Sequence, residues 1–117
     1  TPLIKACIWR HENIAKLLIE NGADINKAKR YGDTPLIFAC RMGHGNIIKF
    51  LIENGAELTK KNKDGNTHLI CACKKRNENI AKLLSESGAI LNKANRYGDT
   101  PLICTYKNNQ LIKMELI

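Results

Sequence analysis

TPLIFACRMGHGNIIKFLIENGA, residues 34–56, reads as two short helices joined by a turn. A threonine such as Thr34 caps a helix start with its hydroxyl, and Pro35 is pre-set for the first helical position. Leu36, Ala39 and Cys40 then fall at i, i+3 and i+4, one face of a short first helix. Gly43-His44 reads as the turn. Ile47, Phe50 and Leu51 make a stronger stripe, again at helical and not strand spacing. Asn54-Gly55 ends that second helix, glycine taking the left-handed position just past it.

The same unit recurs along the chain. Thr1, Thr34, Thr67 and Thr100 stand 33 residues apart, and each opens Thr-x-Leu-Ile. Gly22, Gly55 and Gly88 keep that interval, as do Gly32, Gly65 and Gly98. Residues 11–33 and 77–99 match at 17 of 23 positions, as duplicated segments do. The second-helix stripe returns as Ile14, Leu17 and Leu18 and as Ile80, Leu83 and Leu84. Between units the chain is polar and rich in turn residues, as in Lys27 to Asp33, which predicts an extended, β-hairpin-like finger. No unit has enough apolar surface to fold alone, so stacked units must share one core. The expectation is an all-α, elongated solenoid spanning 1–117, with units at 1–33, 34–66, 67–99 and a short fourth at 100–117.

Composition agrees. Aromatics are only 5% of a chain that is 44% hydrophobic, which suits closely stacked helices built from Leu, Ile and Ala. There is no run of 18 apolar residues to span a membrane. The chain opens on Thr1 in mid-motif and reads as a piece of a longer protein. Five cysteines (Cys7, Cys40, Cys71, Cys73 and Cys104) sit in apolar helical surroundings, an odd set that fits a reducing compartment, cytoplasm or nucleus. The net charge of +8 favours acidic partners.

These phased residues resemble the ankyrin repeat, whose pattern is Thr-Pro-Leu-His-x-Ala on a 33-residue period. Thr34-Pro35-Leu36, Ala39, Gly43-His44, Leu51, Gly55-Ala56 and Gly65 carry the match, and it extends over nearly the whole chain. Three departures stand out. Ile4, Ile37, Ile70 and Ile103 replace the motif histidine, so apolar packing should replace its hydrogen bonds. His68 stands where proline is expected, which predicts a less firmly started helix in the third unit. In the fourth unit Thr105 and Tyr106 replace the Ala-Cys pair, and Lys113 interrupts the stripe before the chain ends at Leu116-Ile117.

The resemblance implies a protein-binding scaffold with no catalytic role and no cofactor, contacting its partner through finger tips and first helices. Carried over, the tips are Lys29, Arg30, Tyr31 and Asp33; Lys63, Asp64 and Asn66; and Arg96, Tyr97 and Asp99. The first-helix positions are Ile8 and Trp9, Arg41 and Met42, Lys74 and Lys75, and Lys107 and Asn108. Scaffold positions repeat from unit to unit, whereas these vary. Trp9 and Tyr31 lead the set, being types enriched in interface hot spots, with local packing of Trp9 on a finger as the alternative.

Other chemistry has weaker support. Cys71-x-Cys73 is a poor zinc spacing, since i and i+2 on a helix point to different faces. His11, His44 and His68 lack a nucleophile pattern, and no phosphate-cradling glycine loop precedes a helix. Basic residues beside every finger would align on stacking, so nucleic acid is a rival to an acidic protein face, although Asp33, Asp64 and Asp99 interrupt the stripe. A third class is structural: apolar end faces could stack head to tail into open filaments, or further repeats could cover them.

Overall fold

Each first helix begins on its threonine. The hydroxyls of Thr1, Thr34 and Thr67 accept the N–H of Ile4, Ile37 and Ile70 at 3.1, 3.2 and 3.3 Å. Thr100 does the same for Ile103 at 3.2 Å. The computed structural model describes residues 1–75, 77–87 and 93–104. They form α1 (Pro2–Ile8), α2 (Glu12–Glu20), α3 (Pro35–Met42), α4 (Gly45–Glu53), α5 (His68–Lys74) and α6 (Glu78–Glu86), and residues 101–104 are helical as well. Pro2 and Pro35 occupy the first turns of α1 and α3, as read from the sequence.

Helices α2 and α4 end as their glycines predict, and Gly88, the matching residue after α6, lies outside the described residues. Past α2, Ala23 donates to Leu18 O at 3.0 Å and Gly22 to Ile19 O at 3.1 Å; past α4, Ala56 and Gly55 repeat this pair with Leu51 and Ile52. That is the Schellman closure. The turn after α3 has Gly43 at φ 74°, whereas the matching turn after α1 has Arg10 at φ 59°. A side chain held in that region costs about 1–2 kcal/mol.

Stacking places α1, α3 and α5 side by side, with each second helix behind its own first helix and α2 against α4. The molecule is accordingly long, 51 × 26 × 25 Å. Its core repeats by register: Leu3, Leu36 and Leu69, then Ala6, Ala39 and Ala72, then Cys7, Cys40 and Cys73 are all buried. Ile4, Ile37 and Ile70 are buried too, at 1% exposure or less, so apolar packing stands where the motif histidine would in three units, whereas Ile103 in the fourth is exposed. Ile47 and Ile80 are buried between units, whereas Ile14 and Leu17, at the start of the stack, are exposed.

Two expectations change. His68 does not weaken the third unit's start: α5 begins at that residue with the Thr67 cap intact. The consequence lies in the ring, which is 1% exposed with Nε2 lacking a hydrogen-bond partner among the described residues. The fingers are also tighter than extended hairpins. Among the described residues their ladder is one isolated bridge, Lys61 with Thr67, and tip turns take over. The fourth-unit departures at Thr105, Tyr106 and Lys113 lie outside the described residues.

Candidate partner-binding surface

The three finger tips share one construction. Lys29 N donates to Asp33 O and Gly32 N to Lys29 O, at 3.0 and 2.9 Å. The same two bonds join Asn62, Gly65 and Asn66, and then Asn95, Gly98 and Asp99. This is the closure of a three-residue hairpin loop with glycine in the left-handed position. In the second and third fingers an asparagine braces the turn from within. Asn62 Oδ1 accepts from the N–H groups of Asp64 and Asn66, and Asn95 Oδ1 from those of Tyr97 and Asp99, all at 2.9–3.0 Å.

Neighbouring fingers are tied together. Lys63 N donates to Tyr31 O at 2.9 Å and Arg96 N to Asp64 O at 2.8 Å. Asn62 Nδ2 donates to Asp33 Oδ1, and Asn95 Nδ2 to Asn66 Oδ1, both at 2.9 Å. Arg41, near the end of α3, closes a two-pronged pair on the Asp33 carboxylate at 3.2 and 3.3 Å. Its guanidinium also lies over the Phe38 ring, 5.4 Å from the centroid. Burial works against the Arg41 charge, but the bonded carboxylate outweighs it and holds the proton more firmly than usual.

This bonding divides the sequence-derived residues into two groups. Asp33 and Asn66 are buried, at 8% and 7% exposure, and Arg41 is half-buried on Asp33, so these three hold the fingers and are not free at the surface. A carboxylate and an amide at the finger base find partners in the next unit, which is why they turn inward. Asp99 is half-buried with its N–H bonded to Asn95, and Ile8 is half-buried with its carbonyl accepting from His44 Nε2 at 3.2 Å. The remainder point outward. Trp9 is 71% exposed, Tyr97 65%, Tyr31 63% and Met42 45%, which removes local packing as an account of Trp9. Lys29, Arg30, Lys63, Asp64, Lys74, Lys75 and Arg96 are exposed. Lys107 and Asn108 lie outside the described residues.

Sequence reasoning missed Phe38 and the two bracing asparagines. Phe38 is half-buried with Lys29 at 5.7 Å and Arg41 at 5.4 Å over its ring, so it supports the base of the first finger. Asn62 and Asn95 stand 33 residues apart, and that interval was the available signal.

Cations also cover the tip rings. Arg30 and Lys63 both lie 5.9 Å from the Tyr31 centroid, and Arg96 lies 5.6 Å from that of Tyr97. Charge is segregated between the two layers. Helices α2, α4 and α6 carry three lysines against five glutamates. The other described residues carry thirteen Lys and Arg against five Asp and Glu. Of those five acids, Asp33 is bonded to Arg41, Glu57 to Lys60 at 3.8 Å and Asp64 to Arg96 at 3.7 Å. Among the described residues the excess of positive charge therefore belongs to the fingers, turns and first helices.

The cysteines are free thiols, all buried, and burial pushes the Cys7 thiol up to about 12. Among the described residues no group of three or more His, Cys, Asp or Glu is placed to hold a metal ion.

A family model described as ankyrin repeats, in three copies, matches residues 1–62 and again 57–116. The chain belongs to the ankyrin-repeat family. Ankyrin repeats are generally non-catalytic modules of protein–protein interaction, and they bind protein partners. A comparison with the curated proteins finds no match. Among the described residues of this ankyrin array, no helix is long and apolar enough to cross a membrane.

Proposed function

We propose that this ankyrin array binds a protein with an acidic face through its finger tips and the C-terminal ends of its first helices. Trp9, Tyr31, Met42 and Tyr97 are the apolar anchors. Lys29, Arg30, Lys63, Lys74, Lys75 and Arg96 steer the partner, while Asp33, Asn66 and Arg41 hold the fingers in place. One observation carries this reading: exposed aromatic rings and the excess of positive charge occur in the same layer of the stack. Large rings supply binding energy at low entropic cost, and complementary charge raises the rate of encounter. The buried free thiols fit a reducing compartment such as the cytoplasm or nucleus.

The test is to capture a partner on the immobilised chain, purify it and titrate it against variants. Trp9→Ala and Tyr31→Ala should each weaken binding about fivefold or more, equivalent to about 1 kcal/mol. Lys82→Ala, on the opposite layer, should leave affinity unchanged. Equal, small effects from all three would place the contact elsewhere.

A further inference from the structure

Six of the cations on and beside the fingers fall in two rows. Arg30, Lys63 and Arg96 share one position in the 33-residue unit, and Lys27, Lys60 and Lys93 share another. The first row sits at the tips, whose spacing is fixed by the bonds from Lys63 N to Tyr31 O and from Arg96 N to Asp64 O. Each finger belongs to one layer of packed helices, so successive rungs repeat at about 8–10 Å. A polyproline II strand turns once every three residues and rises about 3.1 Å per residue. Its side chains at i, i+3 and i+6 therefore project from one face about 9 Å apart, the interval of the fingers. A β-strand of similar length would alternate its side chains and present every second one to the wrong side.

We propose that the fingers hold a proline-containing acidic segment of the partner in the polyproline II conformation, one carboxylate to each finger. The segment has Glu or Asp at every third residue, set against Arg30, Lys63 and Arg96, the last exchanging its pair with Asp64 for the partner's carboxylate. Tyr31 and Tyr97 are 63% and 65% exposed, and the ring area their neighbouring cations leave open offers an aromatic surface on which proline rings pack. A nucleic acid strand suits the same rows less well, because its phosphates recur about every 3.4 Å along a duplex strand, well short of the interval of the fingers. This inference rests on the protein-binding reading and names the partner's segment.

The test is fluorescence anisotropy on the whole 117-residue chain with labelled (Glu-Pro-Pro)3. The controls are a peptide of identical composition with its three glutamates contiguous, and a single-stranded oligonucleotide. The spaced peptide should bind at least tenfold more tightly than the blocked one. Lys63→Glu should lower its affinity at least tenfold, and Lys82→Glu on α6 should not. Equal affinity for the two peptides, no binding of either, or tighter binding of the oligonucleotide would each overturn the proposal. If the captured partner still depends on Trp9 and Tyr31 while the spaced peptide fails, the protein-binding reading stands and only the segment's geometry falls.

Discussion

His68 holds the position that Pro2, Pro35 and Pro101 occupy in the other units, and it is buried with a ring nitrogen that has no partner among the described residues. Burial pushes its pKa down to about 4, from the usual 6.5. As pH falls, the unfolded chain takes up this proton first and draws the equilibrium toward unfolding. Stability is therefore complete above pH 6.5, is lost as pH falls from 6.5 toward 4, and levels off below, the full loss being about 3 kcal/mol. His68→Pro removes the titrating group and pre-sets the helix start. In urea unfolding, the variant's advantage over the parent should grow by about 2 kcal/mol or more between pH 7.5 and 4.5. A constant gap across that range would mean that the ring finds a proton partner after all. The substitution was legible in the sequence as a break in the Thr-Pro pattern. Its effect was not, because loss of a proline predicts a weak helix start, whereas the finding is an intact cap and an orphaned nitrogen. Arg10 is similar: its left-handed backbone is visible only once it is seen in the position of Gly43.

At the scale of the element, the fingers depend on close approach of one backbone to the next. Gly65 has φ +75°, and a Cβ there would lie 2.9 Å from Arg96 N and 3.1 Å from Asn95 Cα. Gly55 is also left-handed, at φ +94°, but has nothing within 4 Å. Gly55→Ala should cost only the backbone strain, about 1–2 kcal/mol. Gly65→Ala must also push the third finger off the second, and should cost at least about 1 kcal/mol more. Equal losses in denaturant unfolding would show that the fingers separate without penalty. The helices and their glycine ends were legible because a cap, an apolar stripe and a stop are local and repeat three times. The finger ties were not, since Asn62 with Asp33 and Asn95 with Asn66 join side chains 29 residues apart. Nothing in a single unit marks an asparagine as bridging and an aspartate as buried. Asp33 and Asn66 consequently read from the sequence as exposed contacts, and the structure turns both inward.

Over the whole molecule, stacking converts a 33-residue period into two layers of opposite charge character. The net charge of +8 was plain in the composition, but the excess of positive charge in one layer of the described residues follows only when the second helices are placed behind the first. Residue type and family position single out Trp9, Tyr31 and Tyr97, and their exposure is what permits a binding role. The measurement that bears most directly on this account is amide hydrogen exchange, on the free chain and on its complex with a captured protein. The account predicts new protection at residues 29–33, 62–66 and 95–99 and at the C-terminal ends of α1, α3 and α5. Protection confined to α2, α4 and α6, with the fingers exchanging as in the free chain, would contradict it.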